Sequence, residues 1–268
     1  MLSNIAQLPS RAVRYLEEGN GRRALVLLHA FPLSADMWLP QLHRVPSGWR
    51  VIAPDLRGFR GAGPGFDDPG LEHMTMDDYA RDVLALMGHL DVERAVIAGL
   101  SMGGYVAFAL LGLAPERVSG LVLANTRAAA DSPEGRSGRD AMRALVEREG
   151  PHAIADAMLP KLLGATTARE QPDLVDGVRQ LIEVNATRAI AGAIGAMKER
   201  PDWTPRLPAI VCPVLVIGGE EDAIMASAEM RAMAAAIPGA RCEILPRAGH
   251  LSNLEAPMAF NALLWDGR

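Results

Sequence analysis

The sequence predicts an α/β fold: a mostly parallel central sheet flanked by helices, with a helical cap inserted into it. Two patterns lead to this prediction. Short apolar runs alternate with helical stretches over residues 1–127 and again over 206–268, whereas 128–205 shows helical periodicity and no convincing strand. Apolar residues make up 49% of the 268 residues, which is enough to bury a sizeable core.

The predicted strands are near-continuous apolar runs rather than alternating ones. Such runs are typical of strands that are covered on both faces, as in a parallel sheet. They occupy residues 24–28, 50–53, 95–100, 120–124, 213–217 and 241–245. Residues 13–16 fit an antiparallel leading strand.

Helical signals fall between these strands. Thr75 precedes Asp77 and Asp78, as an N-cap precedes acids in a first turn, and apolar residues then recur at helical spacing to residue 90. Further helices are predicted over 101–114, 226–237 and 255–264.

The chain is therefore divided into a core, residues 1–127 and 206–268, and an inserted helical cap, residues 128–205. Residues 128–140 are polar and rich in turn-forming types, and 201–213 contains four prolines before the strand pattern returns. Both stretches favour domain boundaries.

The overall charge and the absence of long apolar runs restrict the class of protein. A net charge of −5 argues against a general nucleic-acid binder. No run approaches the roughly 18 apolar residues needed to cross a bilayer, and no secretory signal is evident at the N-terminus. We therefore expect a cytoplasmic protein without a membrane span, whose oligomeric state the sequence leaves open.

A possible nucleophile follows the third predicted strand. Gly99-Leu100-Ser101-Met102-Gly103 matches G-x-S-x-G, with an apolar strand before it and a helix of small residues after it. A sharp strand-to-helix turn projects a serine hydroxyl clear of the backbone, and the helix N-terminus supplies positive partial charge for an oxyanion. The alternative is a structural glycine-rich turn with a passive serine.

A serine nucleophile needs a base and an acid that orients the base, in the chain order Ser, acid, His. Three acids, Glu220, Glu221 and Asp222, follow the strand at 213–217, and spacing alone does not choose among them. Of the histidines after Ser101, His152 lies in the helical insertion. His250 instead follows the last strand, where it would lie beside the acid loop.

Taken together, these motifs resemble those of the α/β-hydrolase superfamily, most closely the enol-lactonases of 3-oxoadipate metabolism and small bacterial carboxylesterases. The resemblance covers nearly the whole chain outside the insertion. It rests on His29–Pro32, Asp55–Gly58, Gly99–Gly104, Gly219–Asp222 and Gly249-His250.

The resemblance implies roles for individual residues. The family pattern G-x-x-D falls on residues 219–222 and selects Asp222 as the acid beside Ser101 and His250. The backbone amides of Phe31 and Met102 would be the oxyanion donors. The remaining motif residues would support the neighbouring loops; they are His29, Asp55 and Arg57.

Two departures from the family pattern affect loops and leave the proposed catalytic triad, Ser101, Asp222 and His250, unchanged. The usual H-G before the oxyanion residue is His29-Ala30 here. The usual D-x-R-G-x-G is Asp55–Arg60, followed by a Gly-Ala-Gly-Pro-Gly run at 61–65, so the resemblance does not define the loop at 59–70.

The expected activity is hydrolysis of a small carboxylic ester through an acyl-enzyme, with no cofactor and no metal. An enol-lactone is the alternative substrate, and thioester, carbon–carbon and perhydrolase chemistry stay open. A serine at position 101 argues against halide displacement and epoxide opening, which use an aspartate nucleophile on this fold. A non-catalytic ligand-binding protein is the alternative from another class.

Overall fold

The computed structural model describes residues 2–9, 11–60 and 69–265. Its centre is an eight-stranded sheet with the order β1-β2-β4-β3-β5-β6-β7-β8. The strands are β1 (Leu2–Leu8), β2 (Arg11–Gly19), β3 (Arg23–Leu28), β4 (Trp49–Pro54), β5 (Ala95–Leu100), β6 (Val118–Ala124), β7 (Val214–Gly219) and β8 (Arg241–Leu245).

The sheet is mixed, with its antiparallel part at one edge. β1 pairs with β2 and β2 with β4 in antiparallel register, whereas the strands from β4 to β8 pair in parallel. The predicted mostly parallel sheet is thus confirmed, including the antiparallel leading strand. The edge strand β1 was not predicted, because it is only partly buried: Ala6 and Leu8 join the core, whereas Ile5 is 59% exposed.

Eleven α-helices connect or flank these strands in the described part of the chain. They are α1 (Leu39–Leu42), α2 (Met76–His89), α3 (Met102–Leu113), α4 (Pro133–Glu149), α5 (Pro151–Leu162), α6 (Ala165–Glu170), α7 (Pro172–Glu183), α8 (Thr187–Lys198), α9 (Ser227–Ala235), α10 (Ser252–Glu255) and α11 (Pro257–Trp265). The predicted last helix begins at Pro257 rather than at residue 255, since the short α10 precedes it. The side chain of Thr75 caps α2 by accepting from Asp78 N, as its sequence pattern predicted.

Residues 128–205, all of which the structure describes, contain α4 to α8 and no strand. A buried ion pair fastens the end of this helical insertion: Arg200 lies 2.8 Å from Asp131, and its guanidinium stacks 4.2 Å from the ring centre of Tyr105 in α3. Treating the insertion as a separate cap stays a prediction.

The topology brings chemically distinct loops to one edge of the sheet. Because β3 to β8 run parallel, their carboxyl ends lie at the same edge, where α/β sheets place their ligands. Ser101 follows β5, Asn125 follows β6, and the loops after β7 and β8 carry Asp222 and His250. In the described residues, no helix has both the length and the apolar character to cross a bilayer.

Candidate active site

Ser101 occupies the sharp turn between β5 and α3. Its backbone angles, φ 55° and ψ −113°, lie in a region that residues with a side chain rarely adopt. Three hydrogen bonds hold the turn: Ser101 N donates to Ala124 O at 2.9 Å, and Ser101 O accepts from Gly104 N at 2.9 Å and from Thr126 Oγ1 at 2.8 Å. The serine is therefore held in a strained conformation, which is a frequent feature of functional sites.

The two glycines of G-x-S-x-G are explained by close backbone approach. A Cβ on Gly99 would overlap the carbonyl of Gly103, and a Cβ on Gly103 would overlap the carbonyl of Leu28 in β3. Only glycine lets β5, α3 and β3 come this close, so the spacing in the motif reflects the geometry of the turn.

His250 and Asp222 form a buried pair. His250 Nδ1 lies 2.9 Å from Oδ2 and 3.0 Å from Oδ1 of Asp222, and the side chains are 1% and 0% exposed. A carboxylate accepts hydrogen bonds, so Nδ1 carries the proton. Nε2 of the neutral ring is then available to accept one.

The other acids of the loop have different partners. Glu220 accepts from Arg247 N at 3.3 Å, and Glu221 accepts from Thr166 N at 2.7 Å and from Thr166 Oγ1 at 2.6 Å. Among the three candidate acids, Asp222 is thus the one placed against His250. His152, the other histidine considered, is exposed on α5.

The Asp222 carboxylate is held by four donor groups. Besides His250, it accepts from Asn125 Nδ2 at 2.8 Å and from the backbone amides of Ile224 and Met225 at 2.8 and 2.9 Å. Burial alone would raise the pKa of Asp222, but the hydrogen bonds from His250, Asn125 and the Met225 amide outweigh it and leave that pKa below its usual value. The carboxylate therefore stays ionised despite its burial.

Asn125 is a site residue that the sequence reasoning missed. Its Nδ2 donates to Asp222 and, at 3.2 Å, to Gly249 O, and its Oδ1 accepts from Ser252 Oγ at 2.5 Å. Its φ is 45°, in the left-handed region that asparagine tolerates. The available signal was an amide residue directly after a buried strand, one strand beyond Ser101.

The expected oxyanion donors follow two neighbouring strands, Phe31 after β3 and Met102 after β5. Met102 is the first residue of α3, so its N–H has no partner within the helix. Phe31 lies in the turn after β3, where Leu33 N donates to Ala30 O at 2.9 Å. Asn185, in the helical insertion just after α7, donates to Pro32 O at 2.8 Å and so links the insertion to this turn.

The side chain of His29 links the same turn to the loop after β4. Leu56 N donates to His29 Nε2 at 3.0 Å, so the ring proton is on Nδ1, which donates to Ala30 O at 2.9 Å. Burial lowers the pKa of His29 to about 4, and the ring is neutral at pH 7.

The loop after β4 is held by two arginines. Asp55 accepts from Arg14 Nη1 at 2.8 Å and from Ala35 N at 2.8 Å, while Arg57 makes a two-pronged ion pair with Asp82 at 2.7 and 2.9 Å. The glycine-rich run 61–65 lies outside the described residues. Within 2–9, 11–60 and 69–265, no group of three His, Cys, Asp or Glu side chains is gathered as for a metal ion.

We predict that neutral His29 makes the fold sensitive to acid. Its pKa is about 4 in the folded chain and near 6.5 when unfolded, so the unfolded state binds more protons between these values. Stability is fully present above pH 6.5 and falls by about 3 kcal/mol as the pH drops towards 4. Chemical denaturation across this range should show a shallower decline for His29→Gln, which can still accept from Leu56 N. Parallel curves for the two proteins would contradict this.

The comparisons with known proteins agree with this geometry. Residues 23–257 match the family model described as the alpha/beta hydrolase fold. A thermophilic esterase from Thermogutta terrifontis is 38% identical, with a TM-score of 0.91 over 98% of this chain and 97% of that chain. An enol-lactonase from Burkholderia xenovorans LB400 is 31% identical, with a TM-score of 0.88 over 98% of both chains.

A sequence relative gives the same result. 3-Oxoadipate enol-lactonase 2 of Acinetobacter baylyi is 28% identical over 251 residues, which is 93% of this chain and 90% of that protein. The family match covers most of the chain, and the observed sheet order and the turn at Ser101 fit it. The chain belongs to the α/β hydrolase fold family.

Proposed function

We propose that this chain is a serine hydrolase that cleaves a small carboxylic ester through an acyl-enzyme. Ser101 is the nucleophile, His250 the general base and Asp222 the acid that orients it. The observation that carries this proposal is the buried His250–Asp222 pair, 2.9 Å apart, at the same sheet edge as the strained turn of Ser101. A histidine oriented by a carboxylate in this way supports the proposal, because such a pair can act as the base for a serine hydroxyl.

In the first half-reaction, Ser101 Oγ attacks the ester carbonyl carbon while His250 Nε2 takes its proton. Asp222 stabilises the resulting imidazolium. The tetrahedral intermediate collapses when the bond to the alcohol oxygen breaks, and His250 returns the proton to that oxygen. The alcohol leaves and the acyl group stays on Ser101.

In the second half-reaction, water replaces the alcohol. His250 takes a proton from the water as its oxygen attacks the acyl carbon, and collapse of the second tetrahedral intermediate breaks the bond to Ser101 Oγ. His250 protonates Oγ, and the carboxylic acid is released. The net reaction consumes one water and regenerates the enzyme.

The backbone amides of Phe31 and Met102 are the proposed oxyanion donors. Met102 adds the positive partial charge of the α3 N-terminus to its N–H. One such donor typically lowers the barrier by about 3–4 kcal/mol. Because both donors are main-chain groups, side-chain substitution does not remove them.

The substrate proposal rests on two kinds of relative. The esterase of Thermogutta terrifontis supports a simple ester. The alternative is enol-lactone hydrolysis, supported by the relatives named enol-lactonases. A lactone is an internal ester, so the same groups act on it, but the leaving hydroxyl stays attached to the product. We also propose that residues 128–205 form a cap over the core, 1–127 and 206–268.

The test is hydrolysis of p-nitrophenyl esters from acetate to decanoate. Ser101→Ala should lower kcat/KM by roughly a thousandfold or more, because the attacking oxygen is lost. Ser119→Ala is the control. Ser119 lies at the amino end of β6, away from the sheet edge that carries the proposed site, so this variant should match wild type. Chain-length preference then reports the depth of the acyl pocket.

Other outcomes separate the alternatives. Fast lactone turnover with poor ester turnover would favour the lactonase. Ligand binding without turnover of any ester or lactone would favour a non-catalytic binding protein. An active Ser101→Ala would contradict the proposed nucleophile.

We predict a separate role for Asn125 as a positioning residue. Asn125→Leu removes its hydrogen bond to Asp222 and should lower kcat by roughly 10–100-fold with little change in KM, because misoriented catalytic groups are costly. Ser252→Ala, which removes only the donor to Asn125, should have a smaller effect. Equal kcat values for Asn125→Leu and wild type would contradict this role.

A further inference from the structure

The helical insertion contacts the proposed catalytic loops at the connection between α5 and α6, residues 162–166, here called the α5–α6 junction. Gly164 in this junction packs against Gly249, the residue before His250. A Cβ on Gly249 would overlap the backbone of Gly164, and a Cβ on Gly164 would overlap the carboxylate of Glu221. The junction is therefore in direct main-chain contact with the loop of the proposed base.

A buried carboxylate joins the two. Glu255, 7% exposed, accepts from Gly164 N at 2.8 Å through Oε2 and from Leu251 N at 3.0 Å through Oε1. Leu251, the residue after His250, also donates to Leu162 O at 3.1 Å. Burial raises the pKa of Glu255, although the hydrogen-bond donors around its carboxylate offset part of the rise.

A second carboxylate joins the junction to the loop of the proposed acid. Glu221, the residue before Asp222, accepts from both the amide and the hydroxyl of Thr166, at 2.7 and 2.6 Å. Its own amide donates to Ala248 O at 2.8 Å. The acid loop, the base loop and the junction are thus linked in a closed set of hydrogen bonds.

We propose that Glu255 and Glu221 are positioning residues, and that the α5–α6 junction is a fixed part of the catalytic apparatus that holds the loops of Asp222 and His250 together. This inference rests on the proposed roles of those two residues. It implies that substrate enters without opening the insertion at this junction.

The two carboxylates differ in how they respond to replacement by an amide. Both oxygens of Glu255 accept from backbone N–H groups. The NH2 of a glutamine at this position would face one of these N–H groups, which would then have no acceptor. Glu221 faces a hydroxyl, which can reverse its role. Glu255→Gln therefore tests the link to the base loop. Thr166→Val, with Thr166→Ser as its conservative partner, tests the link to the acid loop through Glu221.

A matched control lies at the same interface. Glu170 in α6 forms an ion pair with Arg247 at 2.6 Å, with side chains 44% and 65% exposed. Glu170→Gln is the same substitution and removes the charge from a contact between the insertion and the segment before His250. It leaves the buried hydrogen bonds intact.

The first readout is p-nitrophenyl ester hydrolysis. Glu255→Gln should lower kcat about tenfold or more with KM changed less than about threefold, since orientation and not binding is lost. Thr166→Val should lower kcat to a lesser extent, Thr166→Ser should restore it, and Glu170→Gln should match wild type. A merely structural role would leave kcat per folded molecule unchanged.

The second readout does not depend on any substrate. In protein labelled with 15N-histidine, exchange of the His250 Nδ1 proton with solvent should be faster in Glu255→Gln, while the Nδ1 proton of His29 serves as an unchanged reference. If Glu255→Gln does not fold, the Thr166→Val and Thr166→Ser pair is measured in its place.

The inference is overturned if the Glu255 or Thr166 variants match Glu170→Gln in both kcat and His250 proton exchange. Failure of the proposed function looks different. In that case Ser101→Ala retains wild-type turnover, or wild type hydrolyses no ester, and the exchange measurement alone decides whether the junction holds His250 against Asp222.

Discussion

The backbone of Ser101, at φ 55° and ψ −113°, is a conformation that costs roughly 1–3 kcal/mol and persists only where its surroundings fix it. Those surroundings come from several elements. The last residue of β6 supplies Ala124 O, and Thr126, two residues further on, supplies its hydroxyl. Gly99 and Gly103 leave room for the tight turn. The register of three parallel strands is therefore coupled to the direction of one hydroxyl.

The buried His250–Asp222 pair is the second feature at this edge that costs stability. A fully buried, ionised carboxylate is tolerated only when its oxygens accept enough hydrogen bonds. Asn125, two loop amides and His250 provide that pairing from three separate segments. Because the pair is oriented before any substrate arrives, the structure supports a site whose geometry is set in advance.

The sequence was sufficient for features that depend on local pattern, and insufficient for those that depend on tertiary contact. The central strands were predictable because burial on both faces makes them apolar, and β1 was not, because it is a half-exposed edge. Spacing could not choose among Glu220, Glu221 and Asp222; only family resemblance could. The roles of Asn125 and Glu255 arise from contacts with Asp222 and Gly164, 97 and 91 residues away, which no local pattern encodes.

The most direct measurement of the central claim is covalent labelling with a p-nitrophenyl phosphonate, followed by mass spectrometry of the intact protein and its peptides. The attacking oxygen displaces p-nitrophenolate from phosphorus, and the phosphonyl group stays bound to that oxygen. The account predicts one adduct per chain, on the peptide that contains Ser101, and no adduct in Ser101→Ala. An adduct on another residue, or continued ester turnover by a protein fully labelled at Ser101, would contradict it.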